Sequence, residues 1–157
     1  GHGGGSFYWR NAVPAIEQGF YPDSISTDLH TSCMNDEMQD MTNVMSKFLA
    51  IGLPLQEIVK ESTINPANEI GHPELGHLSV GAVADVTALS VYEGDFQLLD
   101  VHGGRLPAKQ RLRCELTLLD GEVMWDWNGR TGVDWQELPK LYGVRNPEGL
   151  IMPPESA

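Results

Sequence analysis

An aspartate and a histidine follow a short strand-like stretch of the sequence, two residues apart. The run from Ser24 to Thr27 is rich in β-branched residues, as in a short buried strand, and it ends at Asp28, with His30 just beyond. α/β enzymes place their chemistry at the carboxyl ends of strands, where a carboxylate can bind a divalent metal ion and act as a general base. The same pattern also fits a simpler role, in which Asp28 caps the loop or a following helix.

The other histidines suggest further sites, but each lacks the residues needed to complete one. His2 precedes three glycines, as in the oxyanion loop of lipase-like hydrolases, yet residues 77–81 lack the first glycine of the GxSxG nucleophile motif those enzymes need. His72 and His77 are separated by a proline and a glycine and share no helical face, which disfavours a metal site. We therefore expect these two residues and His102 to be histidines of surface turns.

Composition excludes several classes of partner. With 157 residues, 41% of them hydrophobic and 20% charged, the chain is typical of one globular domain or parts of two. The net charge of −12 disfavours binding to nucleic acid and to anionic membranes, and no apolar run is long enough to span a bilayer. Cys33 and Cys114 lie far apart without a CxxC motif, which indicates reduced thiols and a cytoplasmic location.

The first half of the chain has helical periodicity. Apolar residues from Met41 to Leu49 recur at helical spacing and should form a buried stripe, and Gly52 supplies a C-terminal stop. Pro54 is placed to open the next helix. Two shorter helices are predicted over residues 11–18 and 65–70, the second with Asn65 as its N-cap.

The composition changes at Gly71, and from Gly81 onward the periodicity is that of strands. Asp120 and Gly121 form a strong two-residue hairpin signal between the last two predicted strands. The residues around Trp135 and Tyr142 could add one last helical turn, and the prolines beyond suggest an extended tail. The predicted strands cover residues 84–91, 96–101, 111–118 and 122–127.

Six segments, taken in order, carry a family resemblance. The most specific is the succession Asn-Pro-Ala, then Leu-Gly, Gly and Ala-Asp, whereas the glycine-rich opening alone would also fit a flexible linker. Over residues 1 to about 130, the chain resembles the C-terminal part of an amidohydrolase-superfamily enzyme, on the branch of dihydroorotase-like deacetylases. The segments are Gly1–Phe7, Pro22–Asp28, Met45–Leu49, Thr63–Ala67, Leu75–Asp85 and the hairpin Cys114–Val123.

The resemblance implies an α/β fold: the last part of a TIM-barrel metal-dependent hydrolase, followed by the C-terminal strands of a flanking β-sandwich. Residues 1–70 would be the end of the (β/α)8 barrel, with 24–27 as strand eight, residues 71–130 a portion of the sandwich, and residues 131–157 a C-terminal tail. A TIM barrel needs ~250 residues, so we expect the chain to be a piece of a longer enzyme.

The resemblance also implies cleavage of a carbon–nitrogen bond in a small-molecule substrate, with one or two divalent ions, zinc being the expected metal. Asp28 would bind the metal and serve as general base toward the hydrolytic water, and His2, Ser6 and His30 would face the substrate. Lys47, on a helix pattern, is not expected to replace the bridging lysine of the family.

The family's other metal ligands are an HxH pair, a carboxylated lysine and two further histidines, on strands that this sequence lacks. A homo-oligomeric whole enzyme is compatible with the resemblance. Three alternatives stay open: a related aminohydrolase (deaminase), an acyl esterase on the same scaffold, and a non-catalytic β-rich interaction module in which Asp28 is only a cap.

Overall fold

The computed structural model describes residues 1–138, 140, 142 and 143, and the chain divides into two compact units, residues 1–125 and 126–157. In the first unit, four short helices precede an antiparallel sheet of order β1-β2-β3. Among the described residues, no helix is long and apolar enough to cross a membrane. The elements are α1 (Trp9–Glu17), α2 (Met41–Ala50), α3 (Leu55–Glu61), α4 (Ile64–Glu69), β1 (Val86–Leu99), β2 (Arg105–Leu119) and β3 (Glu122–Asp126).

The longest helix, α2, forms as predicted. The side chain of Asp40 accepts a hydrogen bond from Asn43 N at 2.7 Å, which satisfies a free amide of the first turn. Gly52 follows the helix at a φ of +96°, where glycine is favoured. The stripe from Met41 to Leu49 lies in the core, with Val44 and Met45 buried.

The N-cap predicted for α4 is wrong. The N-cap is Thr63, two residues before the predicted Asn65, so the helix begins at Ile64, and the Thr63 side chain makes no capping bond. Asn65 lies inside the helix, and its Nδ2 donates to the backbone carbonyl of Asp23 at 2.9 Å. This long-range bond gives the amide a tertiary partner in place of a local cap.

The sheet is built on one long hairpin. The two strands predicted over residues 84–91 and 96–101 form a single strand, β1, because Gly94 and Asp95 make a bulge and not a turn, and pairing with β2 continues on both sides. The hairpin signal is confirmed: Asp120 and Gly121 have φ values of +51° and +83° between β2 and β3.

The strand predicted over residues 24–27 does not form. A strand needs a ladder of hydrogen bonds to a neighbouring strand. Within the described residues, the carbonyls of Ser26 and Thr27 instead accept bonds from His2 N at 3.1 Å and Gly3 N at 2.8 Å, in a turn. Ile25 N donates to Glu61 O at 2.7 Å, which fixes the segment against α3.

Helix α2 packs against β2 and joins the helices to the sheet. At this contact the buried Ser46 hydroxyl accepts a hydrogen bond from Leu112 N at 2.9 Å. Two apolar clusters form the core. The larger contains Ile16, Ile25, Cys33, Met38, Val44, Met45, Leu53, Ile58 and Leu112, and the smaller contains Phe7, Trp9, Leu98 and Ala108.

The second unit begins at Asp126, the last residue of β3, and beyond that residue it consists of turns and bends where it is described. Hydrogen bonds from the backbone and the hydroxyl of Thr131 lower the pKa of Asp126 to about 2. A single hydrogen-bonded turn forms where the last helical turn is predicted: Glu137 N donates to Asp134 O and Gln136 N donates to Asp134 Oδ1, both at 2.9 Å, and the turn does not continue as a helix over the described residues to 138. Leu141 and the prolines of the predicted tail lie outside the described residues.

Candidate functional site

A glycine-rich turn, residues 1–6, packs against the segment that carries Asp28. Besides the bonds from His2 N and Gly3 N to that segment, Ser6 N donates to His2 O at 3.3 Å and closes the turn. His2 and Gly3 are buried. Residues 1–6 are therefore an ordered part of the first unit and not a flexible linker.

Asp28 itself is exposed and adopts a left-handed backbone conformation, with φ at +52°. Its side chain lies against two glycines: a Cβ on Gly3 would be 2.7 Å from Oδ2, and one on Gly1 would be 2.9 Å from the Asp28 Cβ. Within the described part of the chain, the carboxylate has no hydrogen-bond or salt-bridge partner. It is therefore held close to the turn and available to a ligand.

Cys33 fixes the backbone that follows Asp28. Its Sγ is fully buried, donates toward His30 O at 3.4 Å and Asp28 O at 3.7 Å, and accepts from His30 N at 3.3 Å. The exposed ring of His30 contacts Ser32 Oγ through Nδ1 at 2.8 Å. Sequence reasoning assigned Cys33 no role, because a lone cysteine without a motif gives no signal.

The predicted site residues thus fall on two adjoining pieces of backbone, with different exposure. Ser6, Asp28 and His30 are exposed, whereas His2 is 1% exposed. Both ring nitrogens of His2 contact groups of this chain. Its substrate contact stays a prediction, as do those of Ser6 and His30.

Lys47 is the partner of the His2 ring and was missed as a site residue. Its side chain is completely buried, with Nζ 2.6 Å from His2 Nε2, and it donates to Glu37 O at 2.7 Å. His2 Nδ1 lies 2.8 Å from Gly3 O, so Nδ1 carries the proton and Nε2 accepts from the lysine. The ring also stacks on Phe7, with centroids 4.9 Å apart.

Burial sets the protonation of this pair. Burial lowers the pKa of Lys47 to about 8, and the nearby Asp100 carboxylate only partly opposes the shift. The pKa of His2 is also lowered, chiefly by burial and further by the Lys47 charge. His2 is therefore neutral at pH 7, as its role as an acceptor requires.

The described residues fit one ligand position of a divalent metal ion. Within residues 1–138, 140, 142 and 143, no group of three or more histidine, cysteine or acidic side chains could hold a metal. A complete protein site needs three or four ligands, and Asp28 is a free carboxylate of the right type. The other ligands would have to come from outside the described part of the chain.

Comparison with known proteins finds relatives that are enzymes, although no protein-family model matches the chain. It is 41% identical over 103 residues to a deacetylase of Brucella anthropi and 40% identical over 124 residues to Deacetylase Atu3266 of Agrobacterium fabrum. It is 30% identical over 124 residues to a deacetylase of Enterococcus faecalis. These matches cover 66%, 79% and 78% of the chain, but only 26%, 30% and 34% of the relatives.

Two solved structures share the fold of this piece. A dihydroorotase matches 78% of the chain with a TM-score of 0.73 and 35% identity, and an adenine deaminase matches 80% with a TM-score of 0.75 and 30% identity. The chain covers 34% of each. The chain is thus related to a portion of a class of larger enzymes. These relatives confirm the resemblance to the amidohydrolase superfamily that the sequence motifs indicated.

Proposed function

We propose that the protein is a metal-dependent hydrolase of the amidohydrolase superfamily, which cleaves a carbon–nitrogen bond such as an N-acetyl or cyclic amide. Three relatives named deacetylase and a dihydroorotase of similar fold support this assignment. Residues 1–70 would contribute the end of the barrel, residues 71–130 part of the flanking sandwich, and residues 131–157 a tail. The substrate would be a small molecule.

The observation that carries the proposal is the state of Asp28. The left-handed backbone conformation of Asp28 costs free energy, and its exposed carboxylate has no partner among the described residues. Two glycines leave it space, and Cys33 and the turn fix its backbone. These features are expected of a metal ligand and are unnecessary for a loop cap.

Asp28 would act in two ways within the complete site. One carboxylate oxygen would hold the metal, while the other would take a proton from the hydrolytic water and pass it to the leaving nitrogen. A divalent ion, with zinc expected from the resemblance, would supply Lewis-acid activation of the carbonyl and the water. Ser6, in the glycine-rich turn, and His30, two residues after Asp28, have exposed side chains and would contact the substrate.

Deamination is the second candidate, because an adenine deaminase has the same fold over 80% of the chain. Asp28 would then act as general base toward a water molecule that attacks a ring carbon bearing an amino group. Deacetylation releases acetate and hydrolysis of a cyclic amide gives one ring-opened product, whereas deamination of an aminopurine releases ammonia, so the products distinguish the activities.

The experiment is a product assay on the full-length protein with bound zinc. Amides, N-acetylated compounds and aminopurines are offered to the wild type, to Asp28→Asn and to Asp95→Asn, whose exposed carboxylate pairs with Lys109 on the sheet. We expect turnover in the wild type and in Asp95→Asn, and a loss of about 10²–10⁴-fold in Asp28→Asn. Wild-type turnover in Asp28→Asn would remove that residue from the mechanism.

A further inference from the structure

Lys47 is a buried cation that the proposed chemistry does not use. It is completely buried, yet no carboxylate lies within salt-bridge distance of its Nζ in the described chain. Burying an ammonium group without a carboxylate in direct contact costs several kcal/mol, and the more distant Asp100 offsets only part of this cost. A leucine or methionine would fill the same space in α2 at lower cost, so packing alone does not explain a lysine here.

The hydrogen bonds of Lys47 lead toward Asp28. The ammonium group donates to His2 Nε2, and the opposite ring nitrogen donates to Gly3 O. The amides of the same two turn residues are bonded to Ser26 O and Thr27 O, directly before Asp28. The α-carbon of Gly3 then borders the Asp28 carboxylate.

The contacts that connect Lys47 through His2 to the turn are each held in place by further interactions. Stacking on Phe7 fixes the plane of the His2 ring, and Phe7 also lies edge-on to Phe48 of the same helix as Lys47. The bond from Nζ to Glu37 O fixes the other side of the ammonium group. A change at Lys47 would therefore alter the His2 ring, and through it the turn.

We propose that Lys47 is a positioning residue, which holds the Asp28 carboxylate in place through His2 and the glycine-rich turn. This inference rests on the proposed role of Asp28 as a metal ligand. A purely structural Lys47 would stabilise the fold without any energetic coupling to a ligand at Asp28. The two roles can be distinguished because energetic coupling is reciprocal. If Lys47 and His2 affect ligand binding at Asp28, a ligand bound at Asp28 must also affect Lys47 and His2.

The first test is a zinc titration of the wild-type full-length protein followed by NMR. The amide signal of Asp28, the ring nitrogens of His2 and the side-chain carbon next to Nζ of Lys47 are monitored, with exposed Lys60 as control. We expect the signals of Asp28, His2 and Lys47 to shift with the same dependence on zinc concentration, while the Lys60 signal stays unchanged. If Asp28 shifts and the pair does not, the inference is overturned. If Asp28 itself does not respond, the proposed function fails, and this inference with it.

The second test replaces the pair by apolar groups of similar size, Lys47→Met with His2→Leu, because removing both partners avoids an unpaired buried charge. We expect the double variant to melt within a few degrees of the wild type but to bind zinc at least about tenfold more weakly. Lys60→Met, at an exposed lysine of α3, is the control and should stay within about threefold of the wild-type zinc affinity. A folded double variant with wild-type zinc affinity would overturn the inference. If the double variant does not fold, the titration of the wild type decides.

Discussion

The carboxylate of Asp28 lies so close to the α-carbon of Gly3 that a Cβ there would be 2.7 Å from Oδ2. The atom in the way is the end of a side chain, so an alanine at this position would displace the carboxylate and leave the backbone in place. Gly3 also has a φ of +51°, where a side chain is strained. The glycine therefore serves both the turn and the acid beside it.

Gly3→Ala should reduce turnover and zinc affinity of the full-length protein by about tenfold or more, with a stability loss of about 1 kcal/mol from backbone strain. Gly5→Ala is the matched control, because Gly5 belongs to the same turn, has no positive φ and would place its Cβ in open space. Steady-state kinetics and thermal melting check both variants. Equal effects of the two substitutions would show that the contact between Gly3 and Asp28 is unimportant.

The free energy of unfolding should rise between pH 8 and pH 10.5 because of Lys47. Burial lowers its pKa from 10.5 to about 8 in the folded chain, so in this window the unfolded state binds more protons and stability increases with pH. The difference between these two pKa values corresponds to an increase of roughly 3 kcal/mol in the free energy of unfolding. Urea unfolding at several pH values should show that Lys47→Met loses this rise while Lys60→Met retains it. A rise of the same size in Lys47→Met would assign it to other groups.

Glu61→Gln should stabilise the chain by about 1 kcal/mol at pH 7. Glu61 is 3% exposed, its Oε2 has no hydrogen-bond partner among the described residues, and burial, together with Glu57 and Asp23, raises its pKa. A raised pKa means that stability falls as the pH rises above 4.5 and the unfolded state ionises first. The advantage of the variant should therefore disappear on acidification.

Glu93→Gln is the control for this prediction, since Glu93 is exposed on β1, accepts a hydrogen bond from Gln110 Nε2 and is not among the groups that raise the pKa of Glu61. Its effect on the melting temperature should be small at every pH. A destabilising Glu61→Gln would contradict the prediction, and would indicate that the buried carboxylate has a cationic partner in the full-length protein.

Features set by local sequence were predictable. The helix from Met41 follows from its apolar spacing and its Asp40 cap, and the turn at Asp120 and Gly121 follows from the positive φ that both positions require. Gly94 and Asp95 gave a turn signal in the middle of β1. Only the pairing with β2, which is not visible in local sequence, converts that signal into a bulge.

The candidate site was less predictable, because its connections are long-range. Asp28 could be found from a strand-end pattern and a family resemblance, although the strand itself requires neighbours that the described chain lacks. Lys47 did leave a signal. It lies on the apolar face of α2, three residues after Val44 and next to Phe48, where a lysine is unexpected. Its contact with His2, 45 residues away, could not be read from spacing.

The most direct test of the metal-ligand role of Asp28 is a crystal structure of the full-length protein with zinc, located by anomalous scattering. We expect zinc at about 2.0–2.2 Å from a carboxylate oxygen of Asp28, with the remaining ligands contributed by residues outside the described part of the chain. A fully occupied active-site zinc bound without Asp28, whose carboxylate is turned away to solvent, would show that Asp28 is not a metal ligand.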